Sequence, residues 1–600
     1  MHKKWVVAAK RADFNAIAEK FNISPYLARI IRNRDVIGDE QIEKYLNGGI
    51  ECMHSPALLK DMDIAADILW DAIASGVKIR IVGDYDIDGV LASYILKRGI
   101  EFMGGKAQVR LPDRILDGYG LNDNIINEAF EAGVELIVTC DNGIAANKEI
   151  MHAVELGMSV IVTDHHEVPY EETEEGRRFI LPPADAVIDP KREDCPYPFK
   201  GICGAMVAYK LIMYMLDNFL MPECMVTREA SDKAATFASA VNAASLKELK
   251  EELLSFAAFA TIGDVMELVD ENRAAVKLGL ETLRRTKNVG MKALVDTVGI
   301  DPEAIDVYHI GFILGPCINA TGRLESAQKA LELFFSKDYK EASVIAEELR
   351  NLNESRKNMT ISFTKAAIDM VNESFPDDKV IVVYMPSCHE SIAGIVAGKI
   401  RESFYRPSIV LTDDSEGNIK GSGRSIEGYN MYEELTKVND IFTKYGGHKM
   451  AAGLSMKAGC ADELRRRLNE NCSLTEEELI EKMVIDIPLP VGYVTQALVD
   501  EMDRLSPYGV SNPKPLFAQK DVKVINAGLI GKNSNVCKLT LEGAGGDGSL
   551  RRINAVIFEE AQKAYEEIAN HDKISVLYQA STNEYMGNRS VQLIIKDYAV

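Results

Sequence analysis

Three short stretches set carboxylates or imidazoles directly behind runs of β-branched residues. KIRIVGDYDIDG (78–89) passes from Ile79, Ile81 and Val82 through Gly83 into Asp84, Asp86 and Asp88. ELIVTC (135–140) runs into Asp141 of a DNG tripeptide, and SVIVTD (159–164) ends on Asp164, His165 and His166. Taken singly, each is a solvated turn or a helix cap. Taken together they point elsewhere. If the three runs are strands of one parallel sheet, their carboxyl ends share the edge where open α/β sheets bind ligands. Like charges gathered there would be driven to protonate unless a cation joined them. Aspartate and histidine suit Mn²⁺, Mg²⁺, Zn²⁺ or Fe²⁺, and the lack of cysteine among these groups argues against a structural zinc.

The elements needed to position these groups are visible around them. Strand patterns at 78–83, 107–112, 135–140, 159–164 and 184–190 alternate with helical patterns at 90–104, 122–133 and 146–157, the second capped by Asn122. Strands separated by helices of this length predict βαβ units and a mostly parallel sheet. From about 204 to 370 the pattern is helical. The charged run from about 325 to 372 predicts a long helix, or a pair, joining two halves. A second α/β pattern follows, with strands at 378–385 and 407–414 flanking a helix at 392–404, then glycine-punctuated segments including KYGGHKMAAGLSM (444–456). From about 484 short strands and turns predict a small all-β barrel. The organisation expected is an N-terminal helical extension over 1–60, a catalytic α/β domain over 61–324, linker helices over 325–375, a second α/β domain over 376–465 and a barrel over 480–600.

Composition narrows the class. At 600 residues the chain is too long for one core, and its 47% apolar content argues against disorder. No apolar run reaches the ~20 residues that span a bilayer. MHKKWVVAAKRADF lacks the apolar core and cleavage site of a signal peptide. The ten cysteines form no CxxC pair, and Cys140, Cys203 and Cys317 sit in apolar or glycine-rich contexts, which suits free thiols in the cytoplasm. A net charge of −23 disfavours a surface that grips nucleic acid everywhere and leaves room for a local basic groove whose binding is salt-sensitive.

GDYDIDG, DNG and DHH, in this order, resemble the DHH phosphoesterases. FATIGDVMEL (259–268) resembles that superfamily's fourth acidic motif. GFILGPCINATGRL (311–324), GSGRS (421–425), GGHKMAAG (446–453) and LSPYGVSNPKPLF (505–517) are similar to the RecJ single-strand-specific exonucleases, so the resemblance spans about residues 60 to 600. It implies a DHH catalytic domain, a DHH-associated substrate-binding domain and a C-terminal OB-type barrel. Asp84, Asp86, Asp141, His165 and Asp264 become ligands of two divalent ions, Mn²⁺ or Mg²⁺. Asp141 and His166 become the catalytic pair, His166 near the ions and the scissile phosphate. Asp88 and Asp164 become supports that orient the loop and a neighbouring ligand. The activity implied is 5′→3′ hydrolysis of single-stranded DNA to mononucleotides in repair and recombination, by a monomer whose candidate protein partners are a single-strand-binding protein and a helicase.

The second half then reads as a clamp on the substrate. Arg424, Ser425, Gly447, His448 and His389 offer donors, or close backbone approach, to phosphate. Arg323 and Arg114 are further phosphate candidates, against a surface salt bridge for each. Tyr585, beside Arg589, is a candidate for base stacking on the barrel, as are Tyr508 and Phe517, against a core reading of these aromatics. Cys317 stands where many relatives carry arginine, which removes a possible phosphate contact. The stretch 221–250 looks inserted and has no role assigned. The competing enzyme is a phosphodiesterase for oligoribonucleotides or cyclic dinucleotides, whose relatives usually lack the barrel; pyrophosphatase is weaker still. The non-enzyme alternative is an inactive scaffold, which the intact ligand set opposes.

Overall fold

The computed structural model describes every residue except 1–2, 115–116, 119, 175, 220–241, 415 and 586. The chain divides into two compact units, one made of Gly38–Glu354 with Leu505–Pro513, the other of Met1–Ile37, Ser355–Arg504 and Lys514–Val600.

The first unit is built on a five-stranded parallel sheet. In spatial order the strands are Ala107–Arg110, Ile79–Val82, Leu136–Cys140, Ser159–Thr163 and Ala186–Ile188. The order of connection reverses between Ile79–Val82 and Leu136–Cys140, and the crevice beyond their carboxyl ends is where such sheets hold ligands. Strand residues alternate between two cores. Val138 and Ile161 face the core formed with helices Met62–Ser75, Ile87–Phe102, Gly204–Phe219 and Ala243–Gly263. Ile137, Val160 and Val162 face the core formed with helices Asp123–Glu131 and Asn147–Glu155. Burial on both faces explains why these strands read as continuous apolar runs. Most of the 221–250 stretch lies outside the described residues; its end forms the start of helix Ala243–Gly263, capped by the Asn242 side chain.

Leu505–Pro513 belongs to this first unit through buried polar contacts. The Arg273 guanidinium donates to the carbonyls of Leu505 (2.9 Å), Ser506 (2.8 Å) and Tyr45 (2.9 Å). Asn512 Nδ2 donates to Leu505 O and Pro507 O, and Tyr45 Oη donates to Asn512 Oδ1 at 2.7 Å.

The charged run resolves into helices Gln328–Phe335 and Tyr339–Ser374, the latter of 36 residues, and the division between the units falls inside it. In the second unit a mixed sheet has the order Phe442–His448, Ala451–Met456, Ile419–Arg424, Ser408–Asp413, Ile381–Tyr384. Five long strands then make a barrel, closed where Phe517–Ile530 pairs with Lys573–Tyr585, with Leu550–Ile557 parallel to Asn588–Ala599. This is the OB arrangement. Phe517, fully buried, packs against Tyr578 at 5.7 Å between ring centroids, so the core reading holds for it.

The N-terminal extension is not purely helical. It opens with a strand, Lys4–Val7, parallel to Lys482–Ile485, before helices Phe14–Phe21, Pro25–Asn33 and Asp39–Asn47. The cause is the Trp5-Val6-Val7 run: Trp5 packs on the buried cluster with Leu577, and its indole N–H donates to Asp597 at 2.6 Å. Among the described residues no helix is long and apolar enough to cross a membrane.

Candidate metal centre

Each strand end delivers its side chains differently. After Ile79–Val82 the chain turns directly into helix Ile87–Phe102, and Asp86 is its N-cap, with Oδ1 accepting from the N–H groups of Asp88 (3.0 Å) and Gly89 (3.2 Å). Asp84 is 2% exposed. Asp88, fully buried, accepts from the backbone N–H groups of Gly204 (2.6 Å) and Ala205 (2.9 Å) at the start of helix Gly204–Phe219. An anion is stabilised there by unpaired amides and the helix dipole. Position 204 admits only glycine, because a Cβ would lie 2.7 Å from Asp141 Cβ.

Asp141 adopts a left-handed conformation, φ 60°, with its N–H donating to Thr163 O at 3.1 Å. Asn142 Nδ2 donates to Val82 O (3.0 Å) and Cys140 O (2.9 Å), tying the two strand ends that flank the crevice. His165 Nε2 lies 3.0 Å from Asp141 Oδ1, 3.5 Å from Asp88 Oδ2 and 3.9 Å from Asp264 Oδ2. His166 Nδ1 lies 2.8 Å from Asp164 Oδ1 and 3.9 Å from Asp141 Oδ1. Asp164 also accepts from the N–H groups of Ile144, His165 and His166, so its carboxylate is fully engaged within the protein. Asp264 is the residue at which helix Ala243–Gly263 ends.

Crowding sets the electrostatics. Burial, then the charges of neighbouring carboxylates, pushes Asp84 and Asp141 well above the usual carboxylate range, and raises Asp86. The same two causes carry Asp264 to about 8. Burial holds His165 below its ordinary value, which favours neutral imidazole. Burial also opposes charging of His166, but the hydrogen bond and charge of Asp164 outweigh it and raise His166 to about 9. Asp164 is lowered against its own burial by the same bond.

These residues fit divalent cations. Three overlapping groups bring ligand atoms within 4.8 Å of one another: Asp84, Asp86 and Asp141; Asp88, His165 and Asp264; Asp141, His165 and His166. Asp84 Oδ1 is buried without a hydrogen-bond partner, as a ligand atom awaiting an ion would be. Burial lifts the neighbouring Cys140 thiol to about 12, which keeps it protonated and out of the donor set. Oxygen and imidazole donors without thiolate suit Mg²⁺ and Mn²⁺.

Asp189 was not singled out by the motifs. It follows strand Ala186–Ile188 at the same sheet edge, is fully buried with Oδ2 unpartnered, and is raised to about 8 by burial and then by Asp164. The strand-then-aspartate pattern was its signal in VIDP (187–190). Asn319 was also passed over; its Oδ1 accepts from Ile87 N at 2.8 Å, bracing the acidic loop. Arg114 lies 5.0 Å above the Tyr85 ring, and the charges of Arg114 and Arg323 both act on Tyr85, so both arginines stand beside that loop. Cys317 is buried, with its thiol donating to Ile313 O at 3.3 Å.

In the second unit, Arg424 and His448 are both paired with Ala451 across adjacent strands, so the three side chains share a sheet face. Gly447, at φ 143°, packs its backbone against Ala451 and Ala452. Ser425 is buried and its hydroxyl donates to Tyr429 O at 2.6 Å, so it braces its own turn. His389 caps helix Glu390–Phe404, with Nδ1 accepting from the Ser391 hydroxyl at 2.7 Å. The side chain of Tyr585 lies outside the described residues.

Comparison with known proteins matches three family models: the DHH family, N-terminal domain, over residues 78–238; the DHHA1 domain over 377–474; and the RecJ OB domain over 485–597. The single-stranded-DNA-specific exonuclease RecJ of Bacillus subtilis is 35% identical over all of this chain and 71% of its own length. That of Escherichia coli is 30% identical over 96% of this chain and 95% of its own. Among solved structures, RecJ in complex with Mn²⁺ from Thermus thermophilus superposes with a TM-score of 0.79 at 25% identity, covering 100% of this chain and 79% of that one. An exonuclease RecJ bound to manganese superposes with a TM-score of 0.56 at 29% identity, covering 70% of this chain and 96% of that one.

Proposed function

The chain belongs to the RecJ family of single-stranded-DNA-specific exonucleases, and from that premise we propose that it degrades single-stranded DNA from the 5′ end to mononucleotides, in repair and recombination. It is a metal-dependent exonuclease. The observation that supports the reading best is the convergence of Asp84, Asp86, Asp141, His165 and Asp264 at one sheet edge, with Asp84 Oδ1 buried and unpartnered.

In this reading those five residues hold two Mn²⁺ or Mg²⁺ ions. Ions bound there lower the pKa of a coordinated water and neutralise charge on the attacked phosphate. Asp164 fixes His166 through Nδ1, leaving Nε2 to donate a hydrogen bond to a phosphate oxygen. Asp88 anchors the acidic loop to the N-terminus of helix Gly204–Phe219 and thereby sets where Asp86 and Asp141 stand. Arg114, Arg323, Arg424 and His448 hold phosphates, and the barrel carries the single strand. The working form is a cytoplasmic monomer, with a single-strand-binding protein and a helicase as the partners that would expose its substrate. The barrel disfavours dinucleotides as the main substrate, since a single-strand-binding barrel is of no use for so short a substrate.

The test uses Mn²⁺ or Mg²⁺ with 5′- or 3′-labelled single strands, duplexes and a dinucleotide. Mononucleotides should appear from the 5′ end of single strands and vanish with chelator or with Asp141→Ala. Activity confined to dinucleotides, or surviving chelation, would overturn the proposal.

A further inference from the structure

The helical segment from Val307 to Leu324 lies along the acidic loop and is interrupted by a π-turn, Ile310–Leu314. Its Gly315 faces Ile87, between Asp86 and Asp88, with room for no more than 3.3 Å to Ile87 Cδ1 from an added Cβ. Its Gly311 faces Ile262, two residues before Asp264, at 3.9 Å by the same measure. The segment is therefore seated against two of the strand and helix ends that build the metal centre. On its outer side it carries two large aromatic residues in the open. Tyr308 is 59% exposed and Phe312 is 72% exposed. Their rings stack at 5.2 Å between centroids and 27° between planes. Val265, next to Asp264, is 68% exposed as well.

Exposed aromatic surface costs free energy in water, and a π-turn shifts the register by one residue where an unbroken α-helix would satisfy every backbone bond. A preformed, solvent-facing pair of stacked rings beside a phosphodiester-cleaving centre matches one kind of occupant, an unpaired nucleobase with its own π-face. A base in a duplex has both faces covered. We propose that Tyr308 and Phe312 form a stacking platform that seats a base of the single strand next to the cleaved bond. This deepens the exonuclease reading and rests on it. Stacking of this kind is tolerant of sequence, as an enzyme that consumes a strand nucleotide by nucleotide requires.

The test combines the double variant Tyr308→Ala/Phe312→Ala with oligonucleotides carrying one abasic position, moved stepwise from the cleaved end, in binding measurements with chelator present. Because the side chains are exposed, the variant should melt with the wild type. It should bind the intact strand about five- to hundredfold more weakly, which is the loss expected for one stacked base. With the wild type, an abasic site at one or two positions should reproduce that loss; with the variant, those positions should cost nothing further. Tyr308→Phe/Phe312→Tyr should restore binding. A variant that binds like the wild type, or one in which every abasic penalty persists, overturns the platform. Failure of the wild type itself to bind or cleave single strands would instead overturn the exonuclease reading, so the two failures are distinct.

Discussion

Replacing Asp84 with asparagine should stabilise the metal-free protein while abolishing its response to metal. Asp84, Asp86 and Asp141 bring their oxygens within 4.8 Å of one another in a buried crevice. At an effective dielectric of about 20, two full charges at that distance repel by about 3 kcal/mol. Partial protonation relieves some of this, as the raised values of all three carboxyls require. Removing one charge should therefore gain about 1–2 kcal/mol rather than the full sum. The exchange costs little in hydrogen bonding, because Asp84 Oδ1 has no partner to lose and the new amide can donate to the flanking carboxylates. For a unit of this size the gain is roughly a 1.5–3 °C rise in the first melting transition with chelator. Saturating Mn²⁺ should raise the wild-type transition by mass action and leave the variant nearly unmoved, reversing their order. Differential scanning calorimetry with chelator and with Mn²⁺ reads both effects. A chelated variant that melts below the wild type, with an undiminished Mn²⁺ shift, would refute the reasoning.

Asp88→Ala should act in the opposite sense, by stranding the amides of Gly204 and Ala205; two charge-assisted bonds less the relieved repulsion amount to about 2–4 kcal/mol, seen as faster hydrogen exchange at those two amides. Its Mn²⁺ affinity, by titration calorimetry, should stay far closer to the wild type than that of Asp84→Asn. The metal-free protein should lose stability as pH rises: Asp264 and Asp189, both near 8 when folded, keep protons that the unfolded chain releases near 4, so the transition in chelator should fall between pH 5 and pH 8.5 and flatten with Mn²⁺. Arg273→Ala should remove the one side chain that ties the carbonyls of Leu505, Ser506 and Tyr45 together and raise proteolytic cleavage within 505–513, with no rescue by lysine, whose single ammonium cannot reach all three.

Local pattern carried the catalytic sheet and its acidic edge, because strands buried on both faces announce themselves as β-branched runs and their ends are marked by charge. Asp264 was legible only through resemblance. No spacing rule says which helix, over a hundred residues on, ends beside a given sheet. Asp189 was missed although its strand was legible at 184–190, because the aspartate that follows carries none of the DxDxD, DNG or DHH patterns that marked the other strand ends. The strand Lys4–Val7 was missed for a different reason: its partner lies over 470 residues away, and a four-residue run has no local signature until that partner is present. Ser425 shows the reverse failure. A hydroxyl in a glycine-rich motif reads as a phosphate donor, yet its bond to Tyr429 O is a fact of tertiary packing. Tyr308 and Phe312 were not singled out, since nothing in the spacing reveals a π-turn or the exposure of the pair.

Neither unit is a continuous piece of chain, and that bears on how deletions are read. Cutting before the barrel removes Leu505–Pro513 along with it, taking the Leu505 and Ser506 carbonyls away from the buried Arg273 guanidinium and baring Leu268, which otherwise packs on Gly509. Trimming the first 37 residues strips the strand that pairs with Lys482–Ile485 and the Arg34 partner of buried Asp486, which injures the far end of the molecule in sequence. A truncated protein that loses activity has thus lost part of its catalytic scaffold as well as its barrel, and only point substitutions on the barrel's surface can report what the barrel itself contributes.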